Sequence, residues 1–201
     1  MKNSEMPWVE KKNREKSPSL VGGALFHAKR RESGYGGAKN QCHADFGEKK
    51  ISYQAHSYPH GKEPVDGATV ARLLGQDPQQ VYKTLVAQGH SKNYYVFVIP
   101  VEDTLDLKKA AKAAGEKSVE MIHVSELPAL TGYVRGGCSP IGMKKRFATF
   151  FDSGVERLGA VMVSAGKIGW QIELSPSALL EVTGGKTAPL TADVSHSCLC
   201  K

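Results

Sequence analysis

From Ile51 onward short apolar runs alternate with polar breaks, whereas Met1–Lys50 shows no such rhythm. In that leader apolar residues gather only at Leu20–Phe26, and neither a helical nor a strand period is sustained. Residues 1–50 are therefore expected to be a basic, mostly disordered extension, with a nucleic-acid-binding arm as the other reading. Ile51–Tyr58 alternates as a strand, and Pro59-His60-Gly61 ends it. Asp66 or Thr69 can start a helix through Val70, Leu73 and Leu74, with Gly75 at its end. Asp77-Pro78 turns into Val81–Gln88, which forms a predicted hairpin with Tyr94–Val101 across the Gly89–Asn93 loop. An Ala/Lys-rich helix over Leu105–Ala114 follows, capped by Asp103 or Thr104 and stopped by Gly115. Val119–Val124 has no decisive period, and Ser125–Leu130 reads as a short helix. Further strands are predicted at Gly132–Arg135, Ala148–Phe151, Ala160–Ser164 and Trp170–Leu174, and a last helix at Ser177–Val182, opened by Ser175-Pro176.

Strands dominate and helices interrupt them irregularly, which predicts an α+β fold: a curved, mixed, barrel-like sheet with surrounding helices. The domain is expected over residues 51–190, followed by a flexible tail over 191–201. No apolar run reaches the roughly 18 residues of a membrane span, and the N-terminus has no apolar signal core, so a cytoplasmic protein without membrane contact is expected. The net charge of +7 is uneven. Residues 1–50 hold 11 Lys/Arg against 6 Asp/Glu, or +5, leaving 16 against 14, or +2, for residues 51–201. The basic character thus belongs mostly to the leader, and charge alone is a weak argument for nucleic-acid binding by the domain. Cys42, Cys138, Cys198 and Cys200 lack zinc-type spacing apart from a terminal C-x-C, so reduced thiols are expected.

The richest local chemistry lies in Gly132–Arg146, GYVRGGCSPIGMKKR. Gly136 and Gly137 allow positive φ and close backbone approach, Pro140 fixes φ, and Ser139 before it is pushed toward an extended conformation. Such a loop can offer backbone donors to an anion or polarised carbonyl, with Lys144, Lys145 and Arg146 nearby; it also fits a tight turn with a solvated basic flank. On Val81–Ala87 the period of two puts Lys83 among Val81, Leu85 and Ala87, a face where an ammonium must either snorkel out or meet an anion. Other patterns fail. Gly137-x4-Gly142 is followed by Met143 where a P-loop needs lysine, and Gly185-Lys186-Thr187 lacks the earlier glycine. Pro59 breaks the helix that His56-x3-His60 would need for metal binding. Cys138 has no histidine near it in sequence to activate it.

Four ordered motifs narrow the reading. They are Val81-Tyr82-Lys83-Thr84-Leu85, Leu105-Asp106-Leu107-Lys108-Lys109-Ala110, the Gly132–Arg146 stretch, and Ser164-Ala165-Gly166-Lys167-x-Gly169-x2-Ile172-Glu173-Leu174. Over about Ile51 to Leu190 their order closely resembles the YbaK family of Cys-tRNA(Pro) deacylases, relatives of the insertion editing domain of prolyl-tRNA synthetases. The resemblance implies a freestanding editing hydrolase for cysteine mischarged on tRNA(Pro), with no cofactor and no metal. It implies that Lys83 holds the acceptor-end phosphate, that the amides of Gly136, Gly137, Ser139 and the Pro140 loop surround the aminoacyl carbonyl, and that Ser164 and Gly166 form another pocket wall. Tyr58 and Thr84 match positions that often line it. Where some relatives carry aspartate, this chain has Gln171, a neutral hydrogen-bonding group.

An aminoacyl ester is already activated, so catalysis needs mainly positioning and charge stabilisation. Side-chain shape separates cysteine from serine or alanine by only about 1–3 kcal/mol. Attack by the substrate's own thiol, with a pKa of about 8.5, would supply discrimination chemically and would need no protein nucleophile. The implied partner is aminoacylated tRNA(Pro), with prolyl-tRNA synthetase as a possible source of tRNA selection; the oligomeric state stays open. Deacylation of another small residue such as alanine, or non-catalytic tRNA binding, are the alternatives.

Overall fold

The computed structural model describes residues 51–61 and 65–192; the expectations for residues 1–50 and for the tail beyond 192 lie outside them. A three-stranded antiparallel sheet has the order β1 (Gln54–Ser57), β7 (Trp170–Leu174), β6 (Val161–Ser164). A five-stranded mixed sheet has the order β4 (Val119–Met121), β2 (Tyr82–Gly89), β3 (Tyr94–Pro100), β5 (Ala148–Asp152), β8 (Lys186–Ala188). The hairpin β2–β3 and the pair β2–β4 are antiparallel, while β3–β5 and β5–β8 are parallel. The α+β class is as expected, but the barrel is not. The edge strands β4 and β8 do not pair with each other, and the two sheets meet in one isolated parallel bridge, Val81↔Met162. A barrel needs a continuous ladder. Here the ladder breaks where a 3₁₀ turn at Pro78–Gln80 delivers the chain to Val81 and where β6 is only four residues long.

Helix α1 (Gly67–Leu74) starts at Asp66, which accepts from the Thr69 N–H at 2.9 Å, and ends at Gly75 with φ 64°. Helix α2 (Leu107–Ala114) is capped by Asp106, not by Asp103 or Thr104. The reason is tertiary: the Asp106 N–H donates to Leu190 O, the Ala192 N–H donates to Thr104 O, and Leu105 bridges Thr191, so residues 104–106 are held extended. Helix α3 (Leu127–Thr131) ends at Gly132, and the strand expected at Gly132–Arg135 does not form. Instead, the Tyr133 hydroxyl donates to Ile141 O at 2.7 Å, with Gly142 O at 2.9 Å, which folds this stretch back on itself. Helix α4 (Pro176–Thr183) is capped by Ser175 and ended by Gly184; β8, which follows it, was not predicted.

The sheets share one apolar cluster. Tyr82, Val86, Val96 and Val98 meet Val161, Val163, Ile172 and Leu174, with Tyr133, Cys138, Ile141 and Leu179 closing the layer. On the other side of β2–β3, Ala87, Phe97 and Ile99 pack against Ala110 and Ala111 of α2, and the Phe97 ring stacks on Phe150 at 5.8 Å. Burying a side chain such as Phe97 contributes about 1.5–3 kcal/mol. A small third cluster joins Ala71 of α1 to Val81 and Met162 at the bridge. Asp152, 8% exposed at the end of β5, accepts from the N–H groups of Gly154, Leu190 and Thr191 at 2.9, 3.0 and 3.3 Å.

Candidate active site

Residues paired across a β-ladder project to the same face, and so do residues two apart along a strand. The Val81–Met162 bridge therefore carries the geometry. Lys83 and Ser164 each lie two residues beyond it, in strands that run parallel there. Ser164 pairs with Gln171, Gln171 pairs with His56, and Met162 pairs with Glu173. Tyr58 stands two residues beyond His56, and its N–H extends the ladder by donating to Gly169 O at 2.9 Å. Tyr58, Lys83, Ser164 and Gln171 thus share one face. Thr84 does not: it lies with Tyr82 and Val86 on the face that makes the inter-sheet core, and its buried hydroxyl oxygen has no hydrogen-bond partner.

Lys83 resolves the conflict of a cation on an apolar strand face through backbone carbonyls. Its Nζ donates to Val101 O at 2.9 Å and to Asp103 O at 2.6 Å, both just beyond β3. An ammonium has three donors, so this leaves one N–H for an anion. Burial holds the Lys83 pKa below its ordinary value, and the Asp103 charge opposes that shift.

The glycine loop is held from both ends. Gly136 has φ 83°, which a side chain would strain, and the Gly137 N–H closes a turn by donating to Val134 O at 3.0 Å. Gly137 is needed for space rather than for φ. A Cβ there would stand 3.1 Å from Ile168 N and 3.2 Å from Lys167 C, so the loop presses directly on the β6–β7 turn. Ser139 is fully buried and its Oγ accepts from the Ile141 N–H at 3.3 Å; Pro140 is buried beside it. In the facing turn Gly166 and Gly169 have φ 85° and 86°, and the Ala165 N–H donates to Trp170 O. Lys144, Lys145 and Arg146 are exposed, with the Lys144 stem lying over Gly132.

Register and contact therefore join Tyr58, Ser164, Gly166, Gln171 and the Gly136–Pro140 loop around the β6–β7 turn, and the bridge adds Lys83. Three contacts of this region are not read from the sequence, although His56, His60 and Glu173 are each named there. The His56 Nε2–H donates to Glu173 Oε2 at 2.7 Å on the same face, His60 lies against Gly169, and the Lys83 acceptors come from the turn after β3. The strand alternation that places Tyr58 also puts His56 on its face; nothing local signals the contacts of His60 or the acceptors of Lys83. Gln171 is 6% exposed, and its Oε1 has no hydrogen-bond partner. Cys138 is buried in the inter-sheet core. Among the described residues no group of three or more His, Cys, Asp or Glu could hold a metal ion, and no helix is long and apolar enough to cross a membrane.

The sequence and the fold of this chain match known proteins. The model of the aminoacyl-tRNA editing domain family matches residues 63–182. The chain belongs to that family, which places it among the aminoacyl-tRNA deacylases and agrees with the YbaK-type motifs. It is 46% identical, over 142 residues, to a protein of Enterococcus faecalis that carries the name of a Cys-tRNA(Pro)/Cys-tRNA(Cys) deacylase, EbsC; the match covers 71% of this chain and 87% of that one. A solved structure described as a trans-editing enzyme for prolyl-tRNA synthetase aligns with a TM-score of 0.63 at 24% identity, covering 70% of this chain and 87% of the other. A second, of the hypothetical protein APE2540, aligns with a TM-score of 0.69 at 23% identity over 76% of this chain and all of the other. At those identities the likeness shows the fold.

Proposed function

We propose that this chain is a trans-editing enzyme that hydrolyses the ester of cysteine mischarged onto tRNA(Pro). The observation that carries the reading is the gathering of Tyr58, Lys83, Ser164 and Gln171 on one sheet face beside the turn on which the Gly136–Pro140 loop rests. In this reading the remaining Lys83 N–H holds the acceptor-end phosphate, and the Gly136 amide faces the ester carbonyl. Gly137, whose N–H is engaged, lets the loop approach. Tyr58, Ser164, Gly166 and Gln171 line the pocket, with Ser139 and Pro140 stiffening the loop and Thr84 behind it.

The chemistry follows from the substrate. Its sulfur attacks its own ester carbonyl, a C–S bond forms, the bond to the ribose oxygen breaks, and the thiol proton ends on that oxygen. Water then opens the resulting thiolactone to cysteine. A thiol of pKa about 8.5 supplies far more nucleophile at neutral pH than the hydroxyl of serine, so discrimination comes from reactivity. Binding fixes the two groups in reacting geometry. Residues 51–190 would form the editing domain, with 1–50 as a basic extension and 191–201 as a tail. The work would be cytoplasmic. The +2 charge of residues 51–201 supports a weak grip on tRNA, and hence tRNA selection by prolyl-tRNA synthetase.

The test is deacylation of Cys-tRNA(Pro), Ser-tRNA(Pro) and Ala-tRNA(Pro) by the wild type and by Lys83→Ala. Rapid loss of the cysteinyl ester, slow loss of the other two and collapse in the variant are expected. Preferential release of alanine would move the specificity to that residue. Binding without release of any amino acid would make the chain a non-catalytic module.

A further inference from the structure

We infer that Gln171 reads the α-amine of the aminoacyl group, so that the site takes esters with an unblocked amino group. This rests on the editing reading above and deepens it. The Gln171 side chain is 6% exposed, yet its carbonyl oxygen has no hydrogen-bond partner. A buried acceptor left unpaired is costly; unlike the Thr84 hydroxyl in the inter-sheet core, this one stands on the face shared with Ser164, where a ligand donor can complete it.

The donors of this region meet the acceptors of the substrate: the Lys83 ammonium suits phosphate, and the Gly136 amide suits the ester carbonyl. The substrate's own donors then need acceptors. Its α-amine sits one carbon from the carbonyl, and Gln171 is two residues from Gly169 in the turn against which Gly137 packs. The ribose hydroxyl lies on the other side of the ester, toward the phosphate and Lys83. Glu173, also on this face, is already engaged by His56 at 2.7 Å.

The probes are two acceptor-stem minihelices whose terminal ribose carries an amide-linked acyl group, one cysteinyl and one 3-mercaptopropionyl. They differ only in the amine, and neither has a cleavable ester. The full-length wild type should bind the cysteinyl probe about 10- to 100-fold more tightly. Gln171→Leu should erase that preference while melting no lower than the wild type, and Gln171→Glu, which keeps an acceptor oxygen, should retain it. Equal affinity of the wild type for both probes, or an equal loss for both in Gln171→Leu, would overturn the assignment. Turnover of Cys-tRNA(Pro), measured alongside, tests the editing reading separately: intact amine preference without turnover would refute editing and leave the subsite standing.

Discussion

Asp152 and Gln171 are buried to nearly the same depth, 8% and 6% exposed, and are treated by the fold in opposite ways. Asp152 ends β5 and collects three backbone N–H groups, tying the segment after β8 to the five-stranded sheet. Gln171, in the middle strand of the smaller sheet, leaves its carbonyl oxygen unpaired. The first polar group is satisfied within the protein; the second keeps an acceptor that, in the reading proposed above, the substrate completes. Burial alone does not separate the two residues; their partners and the face on which they stand do.

The largest expected effect tests the structural half. Asp152→Ala strands three N–H groups, including that of buried Leu190, and should cost about 2–4 kcal/mol in denaturant unfolding, whereas Gln171→Leu should cost nothing there. Equal losses in both variants would break the contrast. Next, Gly137→Ala forces a Cβ to within 3.1 Å of Ile168 N and should displace the loop, lowering deacylation about 10²-fold with a much smaller change in stability.

A third test uses pH. Because burial lowers the Lys83 pKa, the unfolded chain binds that proton more tightly than the folded one. As pH rises from the folded value to the ordinary one, stability should increase while the phosphate grip is lost. Minihelix affinity measured over that window should fall for the wild type and hold for Lys83→Arg. The smallest effect belongs to the His56–Glu173 pair: Glu173→Gln should change stability by less than about 1 kcal/mol, since the pair is partly exposed, and should leave turnover nearly unaltered.

Local chemistry made much of this legible. Asp66 and Gly75 bound α1, Ser175 and Gly184 bound α4, and the β2–β3 hairpin falls within a residue or two of its expected limits, because caps and period-two patterns act through neighbours in sequence. Most of the failures are long-range. The cap of α2 moved to Asp106 because residues 190–192 hold the preceding segment extended. Gly132–Arg135 did not become a strand because Tyr133 is fastened to Ile141 and Gly142. The three-residue β8 is too short to show a period at all. Lys83 could be singled out as an odd cation on an apolar face, but its carbonyl partners, and the register that sets it level with Ser164, could not be read from either motif.

That register has a kinetic side. Val81 and Met162 stand 81 residues apart, and the bridge between them joins two sheets whose other pairings can each form without it. Closing so long a loop is slow relative to hairpin formation. β1 must likewise find β7 from far along the chain. On refolding, the β2–β3 hairpin and the α2-covered core should return before Lys83 comes level with Ser164 and Gln171, so recovered enzymatic activity reports long-range docking rather than collapse.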